Sequence, residues 1–265
     1  MSSFVDKVCV VTGASSGIGY QTAFDLASEG ARVCIVARRQ ERLEELLQRM
    51  PGSGHSLAVT DVSDRDDVRS LVEHVRDEHG GCDVLINNAG FSRERPLSEE
   101  GAVDDLKAMM DTNFYGTVYC TAEFLPLLFE SAPSSIVNVA SMAGRLAIGG
   151  APGYSASKFA VVGFSEALYF QLIEKGVCVS VVEPGLIPTE GFPQTPVLSD
   201  PLLKHTLGSV EAVSKAIRSA IAGRKMERVV PRWYYALQLP RLIAPPLYRL
   251  VQRKLVTPNK GTSGT

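Results

Sequence analysis

Seven short apolar runs recur along the 265-residue chain, separated by longer stretches of helical period: Val8 to Val11, Arg32 to Ala37, Leu57 to Val59, Val84 to Ile86, Ile136 to Val139, Val177 to Val182 and Val229 to Val230. Runs that stay apolar at consecutive positions belong to strands buried on both faces, which need helices above and below them. The intervening stretches supply these: Glu41 to Arg49, Asp66 to Glu78, Asp104 to Glu130, Ala156 to Glu174 and Glu211 to Ala222. Strand-helix alternation with right-handed crossovers predicts an α/β, doubly wound fold with a seven-stranded parallel sheet and helices on both faces. α/β domains run to about 200 to 250 residues around one sheet, so a single domain over residues 1–265 is expected.

Composition narrows the function classes. A formal net charge of −2 gives no global field favouring nucleic acid. The first apolar run is halted by Gly13 after a few residues, too short for an export signal, and no stretch of about 18 uncharged apolar residues exists to span a membrane. Cys9, Cys34, Cys82 and Cys178 lie in or beside predicted strands, with no metal-cage or disulfide spacing. Reduced structural thiols in a cytoplasmic protein are the expectation.

Two segments break the rhythm. Pro184, Pro188, Pro193, Pro196 and Pro201 exclude regular structure from a long excursion, and residues 186–207 are expected to form a substrate lid. Residues 231–256 form a basic, aromatic tail. From Arg224 to Lys254 eight cations face one acid, Glu227, with Trp233, Tyr234, Tyr235, Leu239, Leu242, Ile243, Leu247 and Tyr248 interleaved. Two readings stand open for it: a peripheral membrane contact on an anionic surface, or a flap over the substrate pocket or a neighbouring subunit.

The first strand runs into Thr12-Gly13-Ala14-Ser15-Ser16-Gly17-Ile18-Gly19 and then a helix. Gly13 suits the tight turn, Gly17 lets backbone approach a pyrophosphate, Gly19 permits close helix packing, and the helix N-terminus offers N–H groups to an anion. The end of the next strand reports which dinucleotide binds: a carboxylate there holds ribose hydroxyls, a cation a 2′-phosphate. Here stand Arg38 and Arg39, so NADP(H) is expected over NAD(H), with Arg38 as principal contact.

Tyr154 and Lys158 are four residues apart on a predicted helix and share a face. A Tyr-x-x-x-Lys pair arises by chance in roughly a third of such chains, so the spacing alone carries little. Position adds weight. Ser141 follows a predicted strand at the sheet edge where open α/β sheets bind ligands, and thirteen residues later the chain returns with Tyr154. Carbonyl reduction needs a proton donor on oxygen as hydride reaches carbon. Tyr154 can be that donor, Lys158 can favour its phenolate, and Ser141 can hold the substrate oxygen.

These residues resemble the short-chain dehydrogenase/reductase family from Lys7 to about Val230, through the turn at Thr12 to Gly19, the run Asn87-Asn88-Ala89-Gly90, and Ser141, Tyr154 and Lys158 in order and spacing. The resemblance implies a Rossmann-like fold and oxidoreductase activity on alcohols or carbonyls. It further implies that Asn113 kinks its helix and orders a water that relays protons to Lys158, and that Asn88, Ala89 and Gly90 line the cofactor. Asp61 contacts adenine with Val62 beside it, and Pro184, Gly185, Ile187 and Thr189 hold the nicotinamide amide, on the same ground. So does a homodimer or homotetramer built through the two longest helices. Ser16 replaces a basic residue found in some NADP-preferring members, which leaves the preference on Arg38 and Arg39.

Leu186, Phe192, Val197 and Leu198 on the lid, with Leu146 and Ile148 opposite, suggest a hydrophobic lipid-, retinoid- or steroid-like substrate. The rival readings are an NAD-linked alcohol dehydrogenase of the same family and a non-catalytic dinucleotide-binding or membrane-surface module.

Overall fold

A computed structural model describes residues 4–93, 95–148, 150–190, 207–246 and 249. Seven strands form one sheet: β1 (Val8–Thr12), β2 (Arg32–Ala37), β3 (Ser56–Val59), β4 (Val84–Asn87), β5 (Ser134–Val139), β6 (Val177–Pro184) and β7 (Glu227–Val230). Their order is β3-β2-β1-β4-β5-β6-β7, with every pairing parallel.

Alternate strand residues face opposite helix layers. Cys9, Val11, Val33, Ile35, Val84 and Ile86 pack with Leu26 of α1 (Gly17–Ser28), Leu43 and Leu46 of α2 (Gln40–Arg49), and Ile217 of α7 (Val210–Gly223). Val8, Val10, Cys34, Val36, Leu85 and Ile136 pack with Leu71 of α3 (Arg65–His79), Phe124 of α5 (Gly116–Glu130) and Leu168 of α6 (Pro152–Leu172). Both faces are covered, which is why consecutive apolar residues, rather than alternating ones, mark these strands. The five cysteines are buried and unpaired.

Three of the boundaries that differ from expectation bear on the site. The expected helix Asp104 to Glu130 is two helices, α4 (Ala102–Met109) and α5, joined by a π-helical stretch at Met110–Tyr115. One residue too many per turn shifts Asn113 inward, a change that apolar periodicity does not report. Helix α6 begins at Pro152, ahead of the expected Ala156, with proline at the helix start where its missing N–H costs nothing. β6 runs to Pro184, the last strand residue, where no further ladder bond is required of the proline.

Because β1 leads outward to β2 and β3 while β4 leads the other way, the strand order reverses between β1 and β4. The crevice above their carboxyl ends is where such sheets bind ligands.

Candidate active site

The turn after β1 is locked to the chain after β4. Thr12 Oγ1 accepts hydrogen bonds from the Asn88 and Ala89 amides at 2.9 and 3.1 Å, and the Asn88 side chain donates to the Thr12 carbonyl at 2.9 Å. Gly13 and Gly17 take positive φ, +66° and +58°, as the turn requires. A Cβ on Gly19 would collide with the Gly13 carbonyl and lie 2.5 Å from Asn88 Nδ2. The turn is therefore shaped by glycine into a shallow cradle at the start of α1, whose first amides point along it.

Two adjoining cavities share Gly13, Ser16 and Gly90. One, of about 360 Å³, is bordered by Ser15, Arg38, Arg39, Asp61, Val62 and Ala89. The other, of about 620 Å³, holds Gly17, Ile18 and Asn88 at one end and Ser141, Tyr154 and Lys158 deeper in, with Pro184, Gly185, Ile187 and Thr189 along its side. Two cavities that share the glycine turn, one bordered by cations and the other by the acid/base set, fit a nicotinamide dinucleotide. Of the residues expected from sequence, Gly19 and Asn113 do not line it. Gly19 lies behind the turn, and Asn113 is buried below Gly90.

Asn113 accepts from the Phe91 amide (2.9 Å) and donates to the Phe91 carbonyl (3.0 Å) and Ser157 Oγ (3.0 Å), fixing the chain after Gly90 to α6. A buried chain of amides and hydroxyls continues this bracing: Asn87 to Thr121 and Asn138, then Asn138 to Ser165.

Tyr154 and Lys158 lie on the same side of α6, with Lys158 Nζ 5.8 Å from the Tyr154 ring centre. Lys158 donates to the Val139 carbonyl at 3.0 Å. Burial lowers its ammonium to about 8. Burial also pushes the Tyr154 phenol up to about 12, against the hydrogen bond from Ser141. In the free protein desolvation is the largest influence on the phenol. Ser141 Oγ accepts from the Ala143 amide at 3.1 Å and approaches the Pro184 carbonyl at 3.4 Å.

At the other end Arg39, not Arg38, reaches the glycine turn, donating to Ser15 Oγ and Ser16 Oγ, each at 3.0 Å, and pairing with Glu190 at 2.7 Å. Arg38 pairs loosely with Asp61 at 3.4 Å. Burial raises the Asp61 carboxyl, but the Ser63 hydroxyl and amide and the Arg38 charge hold it below its usual value.

Several lining residues escape sequence reasoning. Thr112 and Glu190 border the smaller cavity; Tyr234 and Leu237 border the larger, the nearer of them 49 residues beyond Gly185. No local pattern signals such long-range returns. Tyr234 is 5% exposed, and a Cβ on Gly185 would enter its ring, so the tail seats directly on the Pro184-Gly185 step. Tyr234 and Leu237 of the tail thus form part of the cavity wall. Leu186, Leu146 and Ile148 also border the cavity, whereas Phe192, Val197 and Leu198 lie outside the described residues. Among the described residues no helix is long and apolar enough to cross a membrane.

Residues 7–196 match the short chain dehydrogenase family. An uncharacterized oxidoreductase of Staphylococcus saprophyticus is 34% identical over 230 residues, covering 83% of this chain and 92% of that protein. Another from Staphylococcus aureus strain USA300 is 33% identical over 189 residues, 71% of this chain and 81% of the relative. A short chain dehydrogenase from Burkholderia cenocepacia, solved in complex with NADP, superposes with a TM-score of 0.80 at 26% identity, covering 97% of this chain and all of that one. The aldohexose dehydrogenase of Thermoplasma acidophilum shares the fold, with a TM-score of 0.73 at 24% identity over 86% of this chain and 94% of its own.

Proposed function

The chain belongs to the short chain dehydrogenase family of oxidoreductases, and on that premise we propose that it moves a hydride between NADP(H) and a hydrophobic ketone, aldehyde or secondary alcohol. The observation that carries this reading is the convergence of Ser141, Tyr154 and Lys158 on one cavity with the glycine turn. A bound nicotinamide would supply or accept the hydride and, in its oxidised form, would carry a positive charge.

Tyr154 is the group that gives a proton to the carbonyl oxygen in reduction and takes it in oxidation. Ser141 holds that oxygen, and Lys158, fixed by the Val139 carbonyl, brings a positive charge to the phenol side of α6. Asn113 braces Phe91 and α6 against each other. The cavity beyond Tyr154 is walled by Met142, Leu146, Ile148, Leu186 and Leu237, with no charged side chain among them, which favours an apolar substrate.

Arg38 and Arg39 favour NADP(H), since guanidinium groups suit a 2′-phosphate, and the NADP complex of the Burkholderia cenocepacia relative agrees with this choice. One observation favours NAD(H) instead: each arginine already has a carboxylate partner, Asp61 and Glu190. A cofactor comparison separates the two.

The test is a screen of NADPH and NADH oxidation over apolar and polar carbonyls, with Tyr154→Phe and Arg38→Asp beside the wild type. Turnover of apolar carbonyls with NADPH is expected, reduced at least about a hundredfold in Tyr154→Phe and shifted toward NADH in Arg38→Asp. A preference for small sugars, or full activity in Tyr154→Phe, would sink the reading.

A further inference from the structure

Behind the wall formed by Ser141 and Pro184 lies a charge cluster that the hydride-transfer reading leaves unused. Glu183 is fully buried at the end of β6, directly before Pro184. Arg145, four residues after Ser141, donates to Glu183 Oε1 through Nε at 2.9 Å and lies at 2.8 Å through Nη2. The same Nη2 meets Glu166 of α6 at 2.6 Å and Glu227 of β7 at 3.4 Å. Glu183 Oε2 is buried without a hydrogen-bond partner. From the helix after Pro231, Arg241 donates to the Arg145 carbonyl and lies over Phe159, while Tyr235 and Arg228 complete the charged and titratable groups around the cluster.

Burial raises the Glu183 carboxyl to about 7 in spite of Arg145, with Glu227 and Glu166 adding to the rise. Desolvation therefore exceeds pairing, and an apolar pair of similar volume would hold the fold as well. What the ions supply instead is direction. Ser141 caps a single turn whose amides close back on it, Ala143 to Ser141 Oγ and Gly144 to the Ser141 carbonyl at 2.8 Å. Arg145 leaves that turn and ties it to the strand end carrying Pro184 and Gly185.

We propose that Arg145 and Glu183 are positioning residues: their buried contact clamps the Ser141 turn onto the end of β6 and sets the spacing between Ser141, Tyr154 and the Pro184-Gly185 step. The proposal rests on the hydride-transfer reading for its kinetic consequence, but the clamp itself can be measured without turnover.

The experiment compares wild type, Arg145→Met, Arg145→Lys, Glu183→Gln and the Arg145→Met/Glu183→Met double variant. Hydrogen exchange of the Ala143 to Leu146 amides, thermal melts, and kcat and KM from about pH 5.5 to 9 with NADPH and the best carbonyl of the screen are recorded. In Arg145→Met, exchange of those amides should quicken at least tenfold and kcat fall about ten- to a hundredfold, with KM changed far less. Arg145→Lys should recover part of kcat. The double variant should melt no lower than Arg145→Met yet stay impaired. Wild-type kcat should fall as the pH drops through about 7, where Glu183 gains a proton, and Glu183→Gln should lack that limb. Unchanged amide exchange in a folded Arg145→Met protein overturns the clamp, and so does a double variant with full kcat. If the wild type reduces no carbonyl, the functional reading falls, while the amide exchange still decides the clamp.

Discussion

Lys158 is held in a costly state. The residue is 5% exposed, burial has lowered its ammonium to about 8 from an ordinary 10.5, and the Val139 carbonyl accepts from it at 3.0 Å. A lysine lowered by folding binds fewer protons in the native than in the unfolded chain between about 8 and 10.5, so its contribution to stability improves as pH rises through that window and is least favourable below pH 8. At neutral pH the charge opposes folding by roughly 3 kcal/mol, partly offset by about 1 kcal/mol for the hydrogen bond it makes. A group kept in such a state is expected at a chemical site, where function and stability pull apart. Lys158→Met should therefore abolish turnover while raising the melting temperature of the free protein at pH 7, by about 2 to 4 °C per kcal/mol gained. Calorimetry at pH 7 and pH 10 checks this: the gain should shrink at the higher pH, and a lower melting temperature than wild type at pH 7 would contradict it.

Elements bring these residues together, and they differ in how far the sequence discloses them. The seven strands are legible because both faces of the sheet are covered, so Val8 to Val11 and Val177 to Val182 are apolar throughout. The glycine turn and the Tyr154-Lys158 spacing are legible because they are local. The π-helical stretch holding Asn113 is not, since six residues are too few to show a period of their own. Contacts across long separations, such as Arg145 with Glu183 or Arg39 with Glu190, leave no periodic trace at all. The C-terminal helix α8 (Tyr235–Ile243) belongs to this group. Its approach to the site is fixed by Tyr234, whose ring occupies the space that a side chain at Gly185 would need. Tyr234→Ala should loosen that wall and raise KM for an apolar carbonyl about tenfold with kcat less affected, the signature of lost binding rather than lost chemistry. Steady-state kinetics on the variant decide it, and an unchanged KM would return the tail to its membrane reading.

For the whole molecule, the sheet and its helix layers leave a surface problem at α5 and α6. Phe170 of α6 is 70% exposed and Phe129 of α5 39% exposed, large rings that contact with a second copy of the chain would take out of water. Tyr115, 44% exposed, stacks on Tyr119 of α5. A twofold axis lets one such face cover its own copy, since residues of one subunit then meet the equivalent residues of the other. Assembly would also brace the far side of α6, the helix that carries Tyr154 and Lys158, so the acid/base pair would sit on a helix packed on two sides. The expected outcome is a dimer or tetramer for the wild type by light scattering coupled to size exclusion, and a monomer for Phe170→Glu, because two such faces would bury unpaired carboxylates against each other. A wild-type monomer at tens of micromolar, a concentration at which interfaces of about 1,600 Å² commonly hold, would break the link between these exposed rings and assembly.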